Sequence, residues 1–185
     1  MKKNKLTIEK MIEIEKLIEK MQSEFSCQSI TDKEFLNELN LKLEYVSPDE
    51  FPNDTEAELC PSEDESYLGL IRVNNKFANT RFAYVHELIH YLMDVGIGNK
   101  VTQSYARKTK GQTTDPHEQE INYATAAAIL NRQYIEEILV AYDTSKPKMD
   151  ELKMVNDICK QYEQNRTTVI RRIQEVRKLM KVASL

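Results

Sequence analysis

At 185 residues, with 41% hydrophobic and 30% charged content, the chain has room for one domain with a real core. The net charge of −4 gives no basis for strong nonspecific nucleic-acid binding. No apolar run reaches the roughly 18 residues a membrane helix needs.

Glycine is scarce, at four residues, which points to a largely helical chain with few tight turns. Cys27, Cys60 and Cys159 are odd in number, widely spaced and without a C-x-x-C pair. They are expected as reduced thiols rather than a zinc site or disulfide framework. Lys2, Lys3 and Lys5 open the sequence, but charged residues follow, so no signal peptide is expected. The expected location is the cytoplasm.

Thr7 to about Phe25 has the helical period. Ile8, Met11, Ile12, Leu17, Ile18 and Met21 form its buried stripe, with Glu and Lys on the other face. Thr31-Asp32-Lys33-Glu34 has the pattern of a capping box opening a short helix through Leu39. Leu41 to Val46 alternates as a half-buried strand, and Pro48 and Pro52 mark a loop. Glu56 to Cys60 is a weaker strand, and Pro61 to Glu65 an acidic turn. Ser66 to Asn74 is the clearest β-rich run, and its edge is expected to accept an extended peptide. Asp49 to Glu65 is strongly acidic.

The helix that follows, capped by Asn79 or Thr80, carries the chemistry. Phe82, Val85, Ile89 and Leu92 repeat at helical steps, and within this stretch lie His86, Glu87 and His90, spaced H-E-x-x-H. One turn separates the histidines, so both can face one metal. Glu87 is rotated by about 100° from His86, at the edge of that site, where it can act as a base. The chain has only three histidines, and two of them are here.

Asp94 to Asp115 reads as a polar connection containing Gly96, Gly98 and Gly111. Its Tyr105, Arg107 and Lys108 are solvated loop residues or substrate contacts. Asp115 and Pro116 then open a helix running through Ala124, Ala126, Ala127 and Ala128 toward Leu139. Pro147 punctuates the next link. Two more helices follow, Met149 to Tyr162 and Arg166 to Met180. In the last, Val169, Ile170, Ile173, Val176, Leu179 and Met180 face inward, and Arg171, Arg172, Arg177 and Lys178 are expected outside.

Two histidines need a third protein ligand to hold a catalytic zinc. Glu118 and Glu120 both sit early in the alanine-rich helix. They are about 200° apart, so only one can reach the metal, and apolar periodicity does not choose.

Val73-Asn74, then Arg81-Phe82-Ala83-Tyr84-Val85-His86-Glu87-Leu88-Ile89-His90, then Glu118-Gln119-Glu120-Ile121-Asn122-Tyr123-Ala124-Thr125 resemble the ImmA/IrrE family of bacterial metallopeptidases. The resemblance spans roughly residues 35 to 140. It implies that Glu120 is the third zinc ligand beside His86 and His90, Glu87 the catalytic base, and Glu118 an outer residue. His117 is then a surface neighbour or a proton shuttle. Ile89 replaces a usual Gly, Ala124-Thr125 replaces Phe-Ala, and Asn131 replaces a common Pro; none removes a ligand or the base.

The expectation is therefore a single α+β domain over residues 1–185, zincin-like and mainly helical. It has an N-terminal helix in 1–26, a core over 31–140 with a two- to three-stranded sheet beside the H-E-x-x-H helix, and C-terminal helices over 148–182. The resemblance implies a Zn²⁺-dependent regulatory endopeptidase that cuts a helix-turn-helix repressor of a mobile element or stress response. The expected partner is that DNA-binding protein, with no direct contact to nucleic acid or membrane. Tyr84, Tyr91, Tyr105 and Tyr123 are candidates for stabilising an oxyanion. The alternative is a non-catalytic zinc-binding antirepressor, or a toxin–antitoxin or phage-defence component acting by protein binding.

Overall fold

The structure, a computed structural model, describes residues 6–25, 30–51, 55–77, 79–108, 115–144 and 150–183. Lys2, Lys3, Lys5, Cys27, Pro52, Gly111, Pro147 and Met149 lie outside them. Among the described residues the architecture is α+β, with seven α-helices and one four-stranded sheet. Among the described residues no helix is long and apolar enough to cross a membrane. Cys60 and Cys159 are free thiols.

The N-terminal helix α1 (Ile8–Glu24) is capped by Thr7, whose hydroxyl accepts from the Lys10 amide. Its buried side chains are Met11, Ile14, Glu15, Ile18 and Met21. Glu15 thus lies on the apolar face, contrary to the expected segregation of charge.

Helix α2 (Lys33–Glu38) has Asp32 at its N-cap, with no side-chain cap hydrogen bond, where the capping-box pattern puts Thr31. Thr31 Oγ1 instead accepts from Arg81 Nη2 at 2.9 Å, and its carbonyl accepts from the Tyr84 hydroxyl. Thr31 thereby ties the start of α2 to the central helix.

The sheet is larger than expected, in the order β1-β3-β2-β4. Strand β1 (Leu41–Val46) runs parallel to β3 (Gly69–Asn74). Strand β2 (Thr55–Cys60) is antiparallel to β3 and to β4 (Tyr105–Lys108). Strand β3 is therefore interior and has no free edge for a peptide. The fourth strand lies inside the stretch that reads as a loop. A four-residue edge strand of Tyr-Ala-Arg-Lys has too little β-rich character to announce itself. Gly69 is required where the connection from α3 crosses β3. A Cβ there would come 2.4 Å from Val101 Cγ2, while the Val101 amide donates to the Leu68 carbonyl at 2.7 Å.

Helix α3 (Thr80–His90) begins at Asn79, whose side chain accepts from the Phe82 amide. It packs on β2, β3 and β4 on one side and on α4 on the other. Every residue from Phe82 to Leu92 is buried, so the polar members of the motif are inside the protein. A π-helical turn, Tyr91–Val95, extends it.

Helix α4 (Pro116–Ile129) is capped by Asp115, as expected. It stops ten residues short of Leu139. Leu130 leaves helical geometry, and Asn131 Oδ1 caps α5 (Arg132–Thr144) through the Gln133 amide at 2.8 Å. Helices α6 (Glu151–Tyr162) and α7 (Arg166–Ala183) pack together, and α7 also contacts α1, α4 and α5.

Arg172 is fully buried, not exposed. Its guanidinium meets both Glu15 oxygens at 2.6 and 3.1 Å, the Leu130 carbonyl at 2.9 Å and the Tyr123 hydroxyl at 3.2 Å. Burying a guanidinium is tolerable only when its donors are satisfied this fully. The pair joins α1, α7 and the end of α4. Ile170, expected inward, is 37% exposed.

Candidate metal centre

Helix α3 brings His86 and His90 onto one face, with ring centroids 4.9 Å apart. Helix α4 delivers a single carboxylate to both. Glu118 Oε2 lies 3.4 Å from His86 Nε2, and Glu118 Oε1 lies 3.2 Å from His90 Nε2. Glu120 points away and meets Lys10 Nζ on α1 at 3.4 Å. Glu118, and not the Glu120 expected from the resemblance, is the carboxylate that stands beside the two histidines. Two residues along a helix turn a side chain through about 200°, and α4 presents position 118 to α3 and position 120 to α1.

Around this trio the polar groups are placed unevenly. His90 Nδ1 donates to Asp94 Oδ2 at 2.7 Å, one turn further along the chain. Asp94 also meets His117 Nε2, at 2.9 Å. His117 is thus linked to the site through Asp94, with its own side chain about half exposed. Arg107 on β4 lies on the other side. Its Nε donates to Glu56 at 2.6 Å, and its Nη1 lies 3.0 Å from both His86 Nδ1 and Asn122 Oδ1.

Asp94 and Asn122 carry no site role in the expectations from sequence, and Arg107 is expected only as a solvated loop residue or a substrate contact. Asp94 carried a usable signal, since it stands four positions after His90 on a helical continuation. Arg107 carried no signal for its contact with His86, because only the sheet topology places it there.

The four tyrosines separate cleanly. Tyr84 is committed to Thr31, Tyr91 to Asn99 and Gly98, and Tyr123 to Glu15 and Arg172. Tyr105 alone of the four stacks on a site histidine, with ring centroids 5.2 Å apart from His90.

Burial holds the His86 imidazole well below its usual range, at about 4, so it is neutral at pH 7. Burial opposes charge on His90 as well, but hydrogen bonds with Glu118 and Asp94 outweigh it and raise its pKa. Hydrogen bonds from His86 and then His90 push the Glu118 carboxyl down, keeping it ionised. Burial pushes Glu87 up to about 8.

The donor set fits a zinc ion. A neutral imidazole, a second imidazole and an ionised carboxylate are the ligands zinc takes. Ligand atoms about 2.0–2.2 Å from a tetrahedral ion stand roughly 3.3–3.5 Å apart, close to the two Glu118 contacts. Both Glu87 oxygens are buried without a hydrogen-bond partner, and His86 Nε2 is buried with only the long contact to Glu118. Such orphaned groups are costly unless something else meets them. One adjustment is required. A guanidinium only donates, so its contact with His86 Nδ1 leaves the ring proton on Nε2. Coordination through Nε2 needs that proton on Nδ1, with Arg107 held by Asn122 and Glu56 alone.

No family model matches the chain, and no curated protein matches it.

Proposed function

We propose that this chain is a zinc-dependent endopeptidase, with His86, His90 and Glu118 as the metal ligands and Glu87 as the general base. The observation that carries the reading is the convergence of both imidazole Nε2 atoms on one carboxylate, beside a buried carboxyl with no partner. A zinc ion held there would lower the pKa of water and polarise a peptide carbonyl.

The chain's own residues supply the remaining functions. Asp94 fixes the His90 ring through Nδ1, and Glu118 crosses from α4 to complete the set. Burial makes the Glu87 carboxylate more basic than an ordinary one, and in its ionised form it would take a proton from the attacking water and return it to the leaving amine. Tyr105, stacked on His90, is the tyrosine best placed to donate to a developing oxyanion. The edge strand β4 lies beside the histidines and can align an extended peptide through its backbone.

The substrate proposed is a helix-turn-helix repressor, following the family resemblance of residues 35 to 140. Part of the acidic segment is internally neutralised. Arg72 takes Glu50 and Glu58, and Arg107 takes Glu56. Asp49, Glu63 and Glu65 remain exposed to steer a basic partner. A non-catalytic antirepressor would have no use for an unpartnered Glu87 carboxyl beside the ligands, which favours the enzyme.

The test is Glu87→Gln. It should keep zinc and fold while losing cleavage of a candidate repressor. Wild-type cleavage by this variant would remove the general-base role. Intact repressor should be cut at one site, more slowly at high salt, with little activity on casein.

A further inference from the structure

Next to the candidate metal centre lies a cavity of about 200 Å³ between α3, α4, β4 and the first turns of α7. Phe82, one turn before His86, and Asn122, one turn after Glu118, form the side nearest the site. The opposite wall is Thr167, Thr168 and Arg171 on α7, and Arg107 closes the cavity against His86. The volume is below that of a drug-sized ligand site and suits one side chain or a small anion.

The lining is rich in donors. Arg107 spends Nε on Glu56 and Nη1 on Asn122 and His86, and its guanidinium lies 4.7 Å over the Phe82 ring. Arg171, which lines the cavity, gives Nε to Glu175 at 2.9 Å, and its side chain is 57% exposed. The Thr167 and Thr168 hydroxyls add two further donors. Asn79 and Asn122 are already committed, to Gln164 and the Phe82 amide and to Glu118 and Arg107. Glu56 is the single carboxylate in the lining, and Arg107 occupies it.

We propose that this cavity is a specificity pocket that takes an acidic side chain, Asp or Glu, of the polypeptide bound across the metal centre. The assignment rests on the endopeptidase reading for its location and on the two arginines for its chemistry. A guanidinium fork pairs a carboxylate through two parallel N–H bonds, and an uncharged amide cannot replace that geometry. An apolar side chain would leave the donors unpaired. The same chemistry would also accept a free anion such as phosphate, and the experiment separates the two sources.

The first arm uses the full metal-free chain, so it is independent of catalysis. Amide resonances are followed by NMR while N-acetyl-glutamate amide, N-acetyl-glutamine amide or inorganic phosphate is added. The glutamate probe should shift Thr167, Thr168 and Arg171 and bind about tenfold more tightly than the glutamine probe. Arg171→Gln should remove that preference, and its exposed side chain makes loss of folding an unexpected result that the same spectra reveal. Equal binding of the two amides overturns the proposal. Phosphate binding at these residues without binding of the glutamate probe also overturns it and makes the cavity a small-anion site.

The second arm digests a peptide library with the zinc-loaded chain and reads residue frequencies around each cut. Asp and Glu should be enriched at one position, and Arg171→Glu should replace them there with Lys and Arg. Cuts with no acidic preference overturn the pocket while leaving the enzyme intact. A chain that prefers the glutamate probe but neither binds zinc nor cuts loses the enzyme reading instead.

Discussion

Glu118 and Glu120 leave the same helix in opposite directions, one to His90 Nε2 at 3.2 Å and the other to Lys10 Nζ at 3.4 Å. A single pair of substitutions reads this out. Glu118→Ala should lower zinc affinity by more than the roughly 10- to 100-fold typical of losing a supporting group. Glu120→Ala should leave zinc content unchanged, since its ion pair is partly exposed. Metal analysis after dialysis against a weak chelator decides it, and an empty site in Glu120→Ala alone would reverse the assignment.

Local spacing makes the motif helix legible from sequence, because His86, Glu87 and His90 fall within a single turn and a half. The third ligand is not, since an alanine-rich helix is apolar on most sides and gives its rotation no marker. Rotation is set by α1 and α3, which sandwich α4 in space and are distant in sequence. The same limit hid Arg172 and Glu15. Each looks like an ordinary member of a solvated charged face, and only their pairing across 157 positions makes burial affordable. Helices α1, α6 and α7 were readable nearly to their ends from period alone. The halt of α4 at Leu130 was not, because it depends on the Arg172 bond to the Leu130 carbonyl and on Asn131 restarting the helix.

Glu87 should give the metal-free protein a distinctive pH profile. Its folded pKa, about 8, lies above the ordinary value of 4.5. The protonated carboxyl therefore favours the fold, fully below about pH 4.5, and this contribution is lost as pH rises through 8. Urea unfolding in the presence of chelator should show Glu87→Gln gaining stability over the parent between pH 7 and 9. The gap should close below pH 5. Parallel profiles for the two proteins would mean that Glu87 is not perturbed by burial.

Asp94 is a positioning residue for His90. Asp94→Asn removes the carboxylate acceptor at Nδ1 but keeps the shape, and should weaken zinc binding by roughly 10- to 100-fold. His117→Ala, whose half-exposed ring bonds Asp94 and lies 6.1 Å from the His90 ring between centroids, should change it far less. Competition titrations with a chromogenic zinc chelator measure both. Equal losses would place His117 among the groups that hold the metal.

Removing one partner of the buried Glu15–Arg172 pair leaves the other charge stranded. Arg172→Met alone should cost about 3–5 kcal/mol of stability. Combining it with Glu15→Leu should recover much of that loss, since an apolar pair of similar volume avoids desolvation. A double-mutant cycle by chemical denaturation isolates the coupling. Additive losses would show that the two residues act independently.

The same clasp bears on how the protein is made. Helix α1 is translated before α7, so its Glu15 carboxylate must wait for a guanidinium 157 positions later. Until α7 emerges from the ribosome, the Met and Ile face of α1 and the far end of α4 lack their shared anchor. The helices that carry His86, His90 and Glu118 are synthesised well before that moment. Contacts of such long sequence separation form late and leave apolar surface open meanwhile. A ribosome stalled before Arg172 would hold all three candidate ligands without the clasp that joins α1 and α7 to the end of α4.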